Sequence, residues 1–211
     1  KGGFYSGGTL ASFKATMSAA AENPEMYDIL KNPFALTEGY TGPAQPSGRK
    51  PEYDHTLESW VAPFAMATIN TKNLHRSNFL LKYEYGKNFV YDEMLLTGPG
   101  SKGEQLAKAA AEDKSMANDS RKPGDGPSKE ERETGFYDVL FVGTNSNGLS
   151  LRASVKGDKD PGYGSTAKMI AESAICLLMN PEIGGGGIWT PASLMGELLI
   201  KRLQQKAGLS F

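Results

Sequence analysis

The chain of 211 residues has one cysteine, Cys176, and two histidines, His55 and His75. A single thiol excludes an internal disulfide. Its place inside the apolar run Ala167 to Met179 suits an unreactive core residue. Two histidines and one cysteine also leave no zinc-finger spacing and no H-E-x-x-H helix, so no transition-metal site is expected. Charge of one sign is equally scarce in excess: 23 Lys and Arg against 24 Asp and Glu give a formal net charge of −1. Such a balance supplies no electrostatic reason to expect nucleic acid or a strongly anionic membrane as partner. Long hydrophobic runs are missing too. The apolar stretch from Ala167 to Met179 is interrupted by Lys168, Glu172 and Ser173 and is too short to span a bilayer. No signal-peptide pattern follows Lys1, and the expected location is cytoplasmic, with attachment to a membrane or lipid surface ranked behind it. No G-x-S-x-G elbow occurs, and the four consecutive glycines Gly184 to Gly187 do not make the G-x-G-x-x-G fingerprint that a dinucleotide site needs between a strand and a helix of a βαβ unit.

What is present reads as one α+β domain over residues 1–211, an antiparallel or mixed sheet flanked by helices. Leu10, Phe13, Met17 and Ala20 recur at helical spacing, and Asn23-Pro24 ends that helix before a short turn over Glu25 to Lys31. Glycines and prolines between Thr37 and Asp54 predict an irregular loop. From Pro63 to Lys82 we expect two helical segments broken at Asn70-Thr71. Phe89 to Tyr91 with Met94 to Leu96 reads as a strand, and the alanine-rich stretch Ser101 to Ala117 as a helix. Lys122 to Gly135 reads as an exposed connection. Leu149, Leu151, Ala153 and Val155 alternate with polar residues, as a strand with one face in the core requires, and Phe136 to Val142 can pair with it as a hairpin. The last helix is capped by Thr190 with Pro191 in its first position, buries Leu194, Leu198, Leu199 and Leu203, and is followed by Gly208.

Three clusters carry potential chemistry. Ser6-Gly7-Gly8-Thr9 opens a helix, where glycines let a ligand approach backbone N–H groups at the positive end of the helix dipole. A tight helix entry is the structural alternative. Asn70, His75, Arg76, Ser77 and Asn78 concentrate hydrogen-bonding groups in an apolar helical region, where something must satisfy them: either neighbouring helices and loops or a substrate or cofactor. Tyr163 and Lys168 lie five residues apart across a turn-to-helix junction, so Tyr163 could donate a proton with Lys168 lowering its pKa, against a plain structural turn and a solvated lysine. Gly184 to Gly187 reads as a flexible connection.

Four stretches in this order carry a resemblance: Ser6-Gly7-Gly8-Thr9-Leu10-Ala11-Ser12; Ala62-Pro63-Phe64 through Asn70 to Arg76-Ser77-Asn78; Gly157-Asp158-Lys159-Asp160-Pro161-Gly162-Tyr163-Gly164; and Thr190-Pro191-Ala192-Ser193. Together they resemble saccharopine dehydrogenase-like oxidoreductases along essentially the whole chain. The resemblance implies a two-part enzyme, with an N-terminal Rossmann domain that binds NAD or NADP and a C-terminal α+β domain that forms the substrate cleft and subunit contacts. This chain matches the second part. A Rossmann domain ahead of Lys1 is therefore an expected partner, the nicotinamide cofactor is expected in the parent protein and not on this chain alone, and a homodimer is conceivable. In that frame Tyr163 and Lys168 are the candidate catalytic pair. Asn70, Arg76, Ser77 and Asn78 are candidate substrate contacts, and Ser6, Gly7, Gly8 and Thr9 candidate cofactor contacts. The substrate stays open, because some similar proteins are enoyl reductases acting on lipid-like acyl chains. A noncatalytic oligomerisation or scaffold module is the competing reading.

Overall fold

The computed structural model describes residues 6–211, without the side chains of residues 116 and 117, and has the α+β architecture that the sequence predicts. Its helices accompany two three-stranded antiparallel sheets. The chain divides into two compact units, one formed by residues up to Ala15 together with Ser120–Phe211, the other by Thr16–Asp119. No helix among the described residues is long and apolar enough to cross a membrane.

Helix α1 (Gly7–Glu22) starts in the first unit and ends in the second. Leu10 and Ala20 of its expected stripe are buried, whereas Phe13 and Met17 stay exposed. In the second unit, Asn23 caps α2 (Pro24–Lys31) by accepting from the Glu25 N–H. Strands β1 (Glu52–Asp54) and β2 (Ser59–Pro63) precede the single helix α3 (Ala67–Leu80), so Pro63 itself ends a strand and the expected helix starts only at Ala67. The break expected at Asn70-Thr71 does not occur. Thr71 Oγ1 bonds the Ala67 carbonyl 2.7 Å away, and Asn70 reaches outward to Glu93, so neither side chain displaces the helical ladder. Strand β3 is confined to Met94–Gly98, and α4 (Gly100–Glu112) packs on β2 and β3. Phe89 to Tyr91 stays out of the sheet because Gln45 occupies its backbone: its side chain accepts from the Tyr91 N–H at 2.9 Å and donates to the Phe89 carbonyl at 3.3 Å. The alanine-rich helix ends at Glu112, and α5 (Ser115–Asn118) is a separate turn begun by Asp113, whose carboxylate accepts from Ser115 N–H.

The first unit resumes with α6 (Lys129–Thr134), inside the stretch expected to be a plain connection. Ser128 and Glu131 form a reciprocal capping box there. Strands β4 (Tyr137–Thr144) and β5 (Ser150–Gly157) make the expected hairpin, with eight cross-strand pairs from Tyr137–Gly157 to Thr144–Ser150. The Tyr137 ring lies over Gly157, where any Cβ would stand 2.1 Å from a ring carbon, so that close cross-strand contact requires glycine. Helix α7 (Gly164–Met179) follows, then α8 (Pro191–Lys206) and the short β6 (Leu209–Ser210), which pairs with the end of β5. Cys176, Met195, Leu199, Leu203, Ala207 and Leu209 form the core, with Val155 and Met169 packed against it. Each fully buried leucine of this set stabilises the unit by roughly 2 kcal/mol.

Two expected core faces are revised. Only the Val155 end of the alternating strand reaches the core, and Leu149 and Leu151 are 60% and 70% exposed. Helix α8 has non-helical backbone at Gly196, and its buried row runs Met195, Leu199, Leu203 at four-residue intervals, leaving Leu198 exposed.

The entry to α7 depends on Asp160, which is fully buried. Its carboxylate accepts from the N–H groups of Gly162, Tyr163 and Gly164 at 2.9, 3.2 and 2.6 Å, and its own carbonyl accepts from Ser165 at 2.8 Å. Removing that carboxylate leaves three donors without their acceptor. Asp160→Ala should lower stability by about 3 kcal/mol, read in a Trp60→Phe background as an earlier urea transition of the Trp189 fluorescence. An unshifted midpoint would contradict this role.

Candidate functional site

In the second unit, α3 turns its polar side chains toward the loops around it. Asn78 is buried, donates to the Gly86 carbonyl and accepts from the Tyr85 N–H, both at 2.9 Å. Ser77 donates to the Asn73 carbonyl one turn back, and Arg76 Nη1 donates to the Leu36 carbonyl at 3.1 Å with its guanidinium over the Phe79 ring. Asn70 Nδ2 lies 3.0 Å from each Glu93 carboxylate oxygen. Burial and the neighbouring Glu93 carboxylate hold the Tyr91 phenol well above its ordinary pKa. Lys72 donates to the Leu30 carbonyl in the last turn of α2 at 2.6 Å, and burial lowers its ammonium pKa.

His75 differs from these neighbours. It is 3% exposed, sits 4.5 Å from the Phe34 ring and 5.9 Å from the Phe89 ring, and its Nε2 has no hydrogen-bond partner among the described residues. The ring array continues through Tyr40, Tyr83, Phe79, Tyr85 and Tyr91. Burial lowers the imidazole pKa, so the neutral form fits this apolar setting.

In the first unit the Asp160 turn presents Tyr163 at the start of α7, 38% exposed, with its ring against Gly126. Lys168 is ion-paired with Asp158. No bond joins Tyr163 to Lys168 among the described residues, so the structure does not bring that pair together as an acid and its activator. A second ion pair, Lys156 to Asp138 at 2.9 Å, flanks the same shallow surface around Gly157 and Gly208. At the start of α1, Ser6 caps the helix by accepting from the Thr9 N–H at 2.9 Å, and the Gly7 N–H donates to the Asp125 carbonyl at 3.0 Å. A side chain at Gly7 would land 1.6 Å from the Lys122 carbonyl oxygen. The space freed by Gly7 is thus filled by the Lys122–Asp125 turn, and this helix entry, as it stands, does not fit a dinucleotide phosphate. Among the described residues no group of three or more His, Cys, Asp and Glu is placed to hold a metal ion.

This chain is similar to trans-acting enoyl reductases. A Mycobacterium tuberculosis H37Rv protein provisionally given that name is 32% identical over 237 residues, covering 100% of this chain and 56% of its own length. The trans-acting enoyl reductase of Mycobacterium ulcerans is 29% identical, covering 95% of this chain and 54% of its own length. That of Mycobacterium bovis BCG is 31% identical over the same shares. The chain spans about half the length of the curated relatives it matches. No family model matches, and no solved structure matches. These names point to enoyl reductases and not to saccharopine dehydrogenase, so the link that stands is the coarser one, to oxidoreductases, through the enoyl-reductase alternative.

Asp160 and Gln45 are the organising residues that sequence reasoning missed. Asp160 stood within a quoted stretch, and its Asp-Pro-Gly setting is a turn signal; Gln45 acts across more than forty residues and leaves no local trace. His75 was grouped with its neighbours, although its environment is apolar and theirs is not.

Burial of His75 has a consequence for pH. The unfolded chain takes up a proton near pH 6.5 while the folded imidazole resists it, so the contribution is fully present above about pH 6.5 and is lost as pH falls toward the lowered folded value. The urea midpoint of the Trp60 unit should fall over that window, and His75→Phe should flatten this component. An equal acid dependence in wild type and variant would contradict it.

Proposed function

We propose that this chain is the substrate-side part of a longer NAD(P)-dependent enoyl reductase, acting on an α,β-unsaturated acyl group. The similarity to proteins named trans-acting enoyl reductase over 95–100% of the chain carries this reading. The share of those relatives left uncovered supports a further segment in the parent, and enoyl reduction calls for a nicotinamide electron donor held against the substrate. The cofactor is assigned to that further segment, since at the start of α1 the Gly7 N–H already donates to the Asp125 carbonyl and the Thr9 N–H to Ser6 Oγ. The contribution of this chain is then to bind the acyl group and supply the proton. Tyr163, an exposed phenol on a turn held rigid by Asp160, is the candidate donor, with Lys168 assigned to its Asp158 ion pair.

Titration followed by nicotinamide fluorescence tests the division of labour. The full-length parent is expected to bind NADPH or NADH saturably, and residues 1–211 alone to bind neither. Binding by this chain alone, or none by the parent, would overturn the reading. In the same parent, Tyr163→Phe is expected to lower kcat on an enoyl thioester on the order of 100-fold with KM little changed; an unchanged kcat removes Tyr163 from the chemistry.

A further inference from the structure

A phenol that is 38% exposed at a helix entry changes rotamer freely unless something borders its ring. For Tyr163 that border is the strap of residues 122–127, in the same unit. A Cβ on Gly126 would stand 2.8 Å from the ring carbon Cε2 and 3.3 Å from Cζ, the carbon that bears the hydroxyl. Gly126 has no positive φ that would itself call for glycine, so the ring lying against its backbone is what excludes a side chain. The strap is fastened on both sides of this point. Ahead of it, the Lys122 N–H donates to the Asp125 carboxylate at 2.7 Å, the Asp125 N–H donates to the Lys122 carbonyl at 2.9 Å, and the Asp125 carbonyl accepts from Gly7. Behind it, Pro127 is buried and its carbonyl accepts from Arg132 Nη1 at 2.9 Å. The main-chain carbonyl of Arg132 in turn accepts from the Asp160 N–H at 3.3 Å. One residue thus ties the strap beside the Tyr163 ring to the turn that carries the Tyr163 main chain.

We infer that Gly126, on a strap fastened by Arg132, is a positioning residue for the Tyr163 hydroxyl. The inference rests on the reading of Tyr163 as the proton donor. Once hydride has been delivered to the β-carbon of the acyl group, the electron pair left at the α-carbon forms a C–H bond with the phenol proton, and water returns a proton to the phenolate. A proton donor works only within hydrogen-bond reach of the atom it serves, about 3 Å, and the residues around it must lock its rotamer. Asp160 fixes where the Tyr163 main chain lies, and Gly126 fixes where the hydroxyl end of its ring lies. Both Gly126 and Arg132 act through Tyr163, so disturbing either costs rate and not substrate affinity.

Double-mutant cycles in the full-length parent, reducing a crotonyl thioester, test it. Gly126→Ala pushes the ring aside, and Arg132→Met releases the strap without adding bulk beside the ring. Gly126→Ala is expected to lower kcat on the order of tenfold, and Arg132→Met by less, with KM little changed in both. Both losses should vanish when Tyr163→Phe is already present, since coupled residues do not add. Circular dichroism checks that each variant is folded. A readout free of activity comes from nuclear magnetic resonance of the 211-residue chain labelled at tyrosine Cζ: both variants should shift the Tyr163 signal, identified by its loss in Tyr163→Phe. If Tyr163→Phe lowers kcat while neither variant does, if their losses persist undiminished beside Tyr163→Phe, or if the Tyr163 signal stays unmoved, the inference is overturned and the donor assignment stands. An unchanged kcat in Tyr163→Phe removes both.

Discussion

The buried carboxylate of Asp160 holds the turn that presents Tyr163 in place. Three consecutive backbone N–H groups converge on it, and its main chain ties Ser165 on one side and, through its own N–H, the Arg132 carbonyl on the other. An acceptor buried among three donors binds them more strongly than water would, and it leaves the turn one conformation. Helix α7 starts where that turn delivers it. Ser165 then meets the Tyr137 hydroxyl at 3.0 Å and Cys176 joins the core, so hairpin, helix and Tyr163 inherit their positions from one side chain.

The second unit solves a similar problem with more groups. Here α3 is the organiser, and its polar residues fasten loops that have little regular structure. Asn78 pins the chain after the helix, Arg76 and Lys72 hold carbonyls before it, and Asn70 engages Glu93. Each would be expensive to bury unpaired, which is why satisfied neighbours explain most of the cluster. His75 is the exception, packed between aromatic rings with Nε2 unmatched among the described residues.

Local signals were the legible part. Thr190 with Pro191, the hairpin alternation and the Asn23-Pro24 boundary all rest on contacts within a few residues, and they appear as read. The Ser128-x-x-Glu131 capping box was equally local and marks a helix inside a stretch that composition made look irregular. Failures came where a distant group decides. Gln45 keeps Phe89 to Tyr91 out of the sheet across more than forty residues. Periodicity showed that Leu149, Leu151 and Val155 share a face, yet it carries no information about what covers that face, and only the Val155 end packs on the core. For the candidate site, residue types were readable and their engagements were not. The likeness to saccharopine dehydrogenases read from the order of motifs finds no support among the relatives, whose names agree with the enoyl-reductase alternative.

The proposed sharing of enoyl reduction between this chain and a further segment is tested most directly by the path of the transferred atoms. The direct measurement is mass spectrometry of the product formed by the full-length parent from an enoyl thioester and nicotinamide cofactor deuterated at C4. The account predicts one deuterium at the β-carbon and a solvent proton at the α-carbon. A product without cofactor deuterium, or an untouched double bond beside an oxidised or reduced amino-acid substrate, would contradict it.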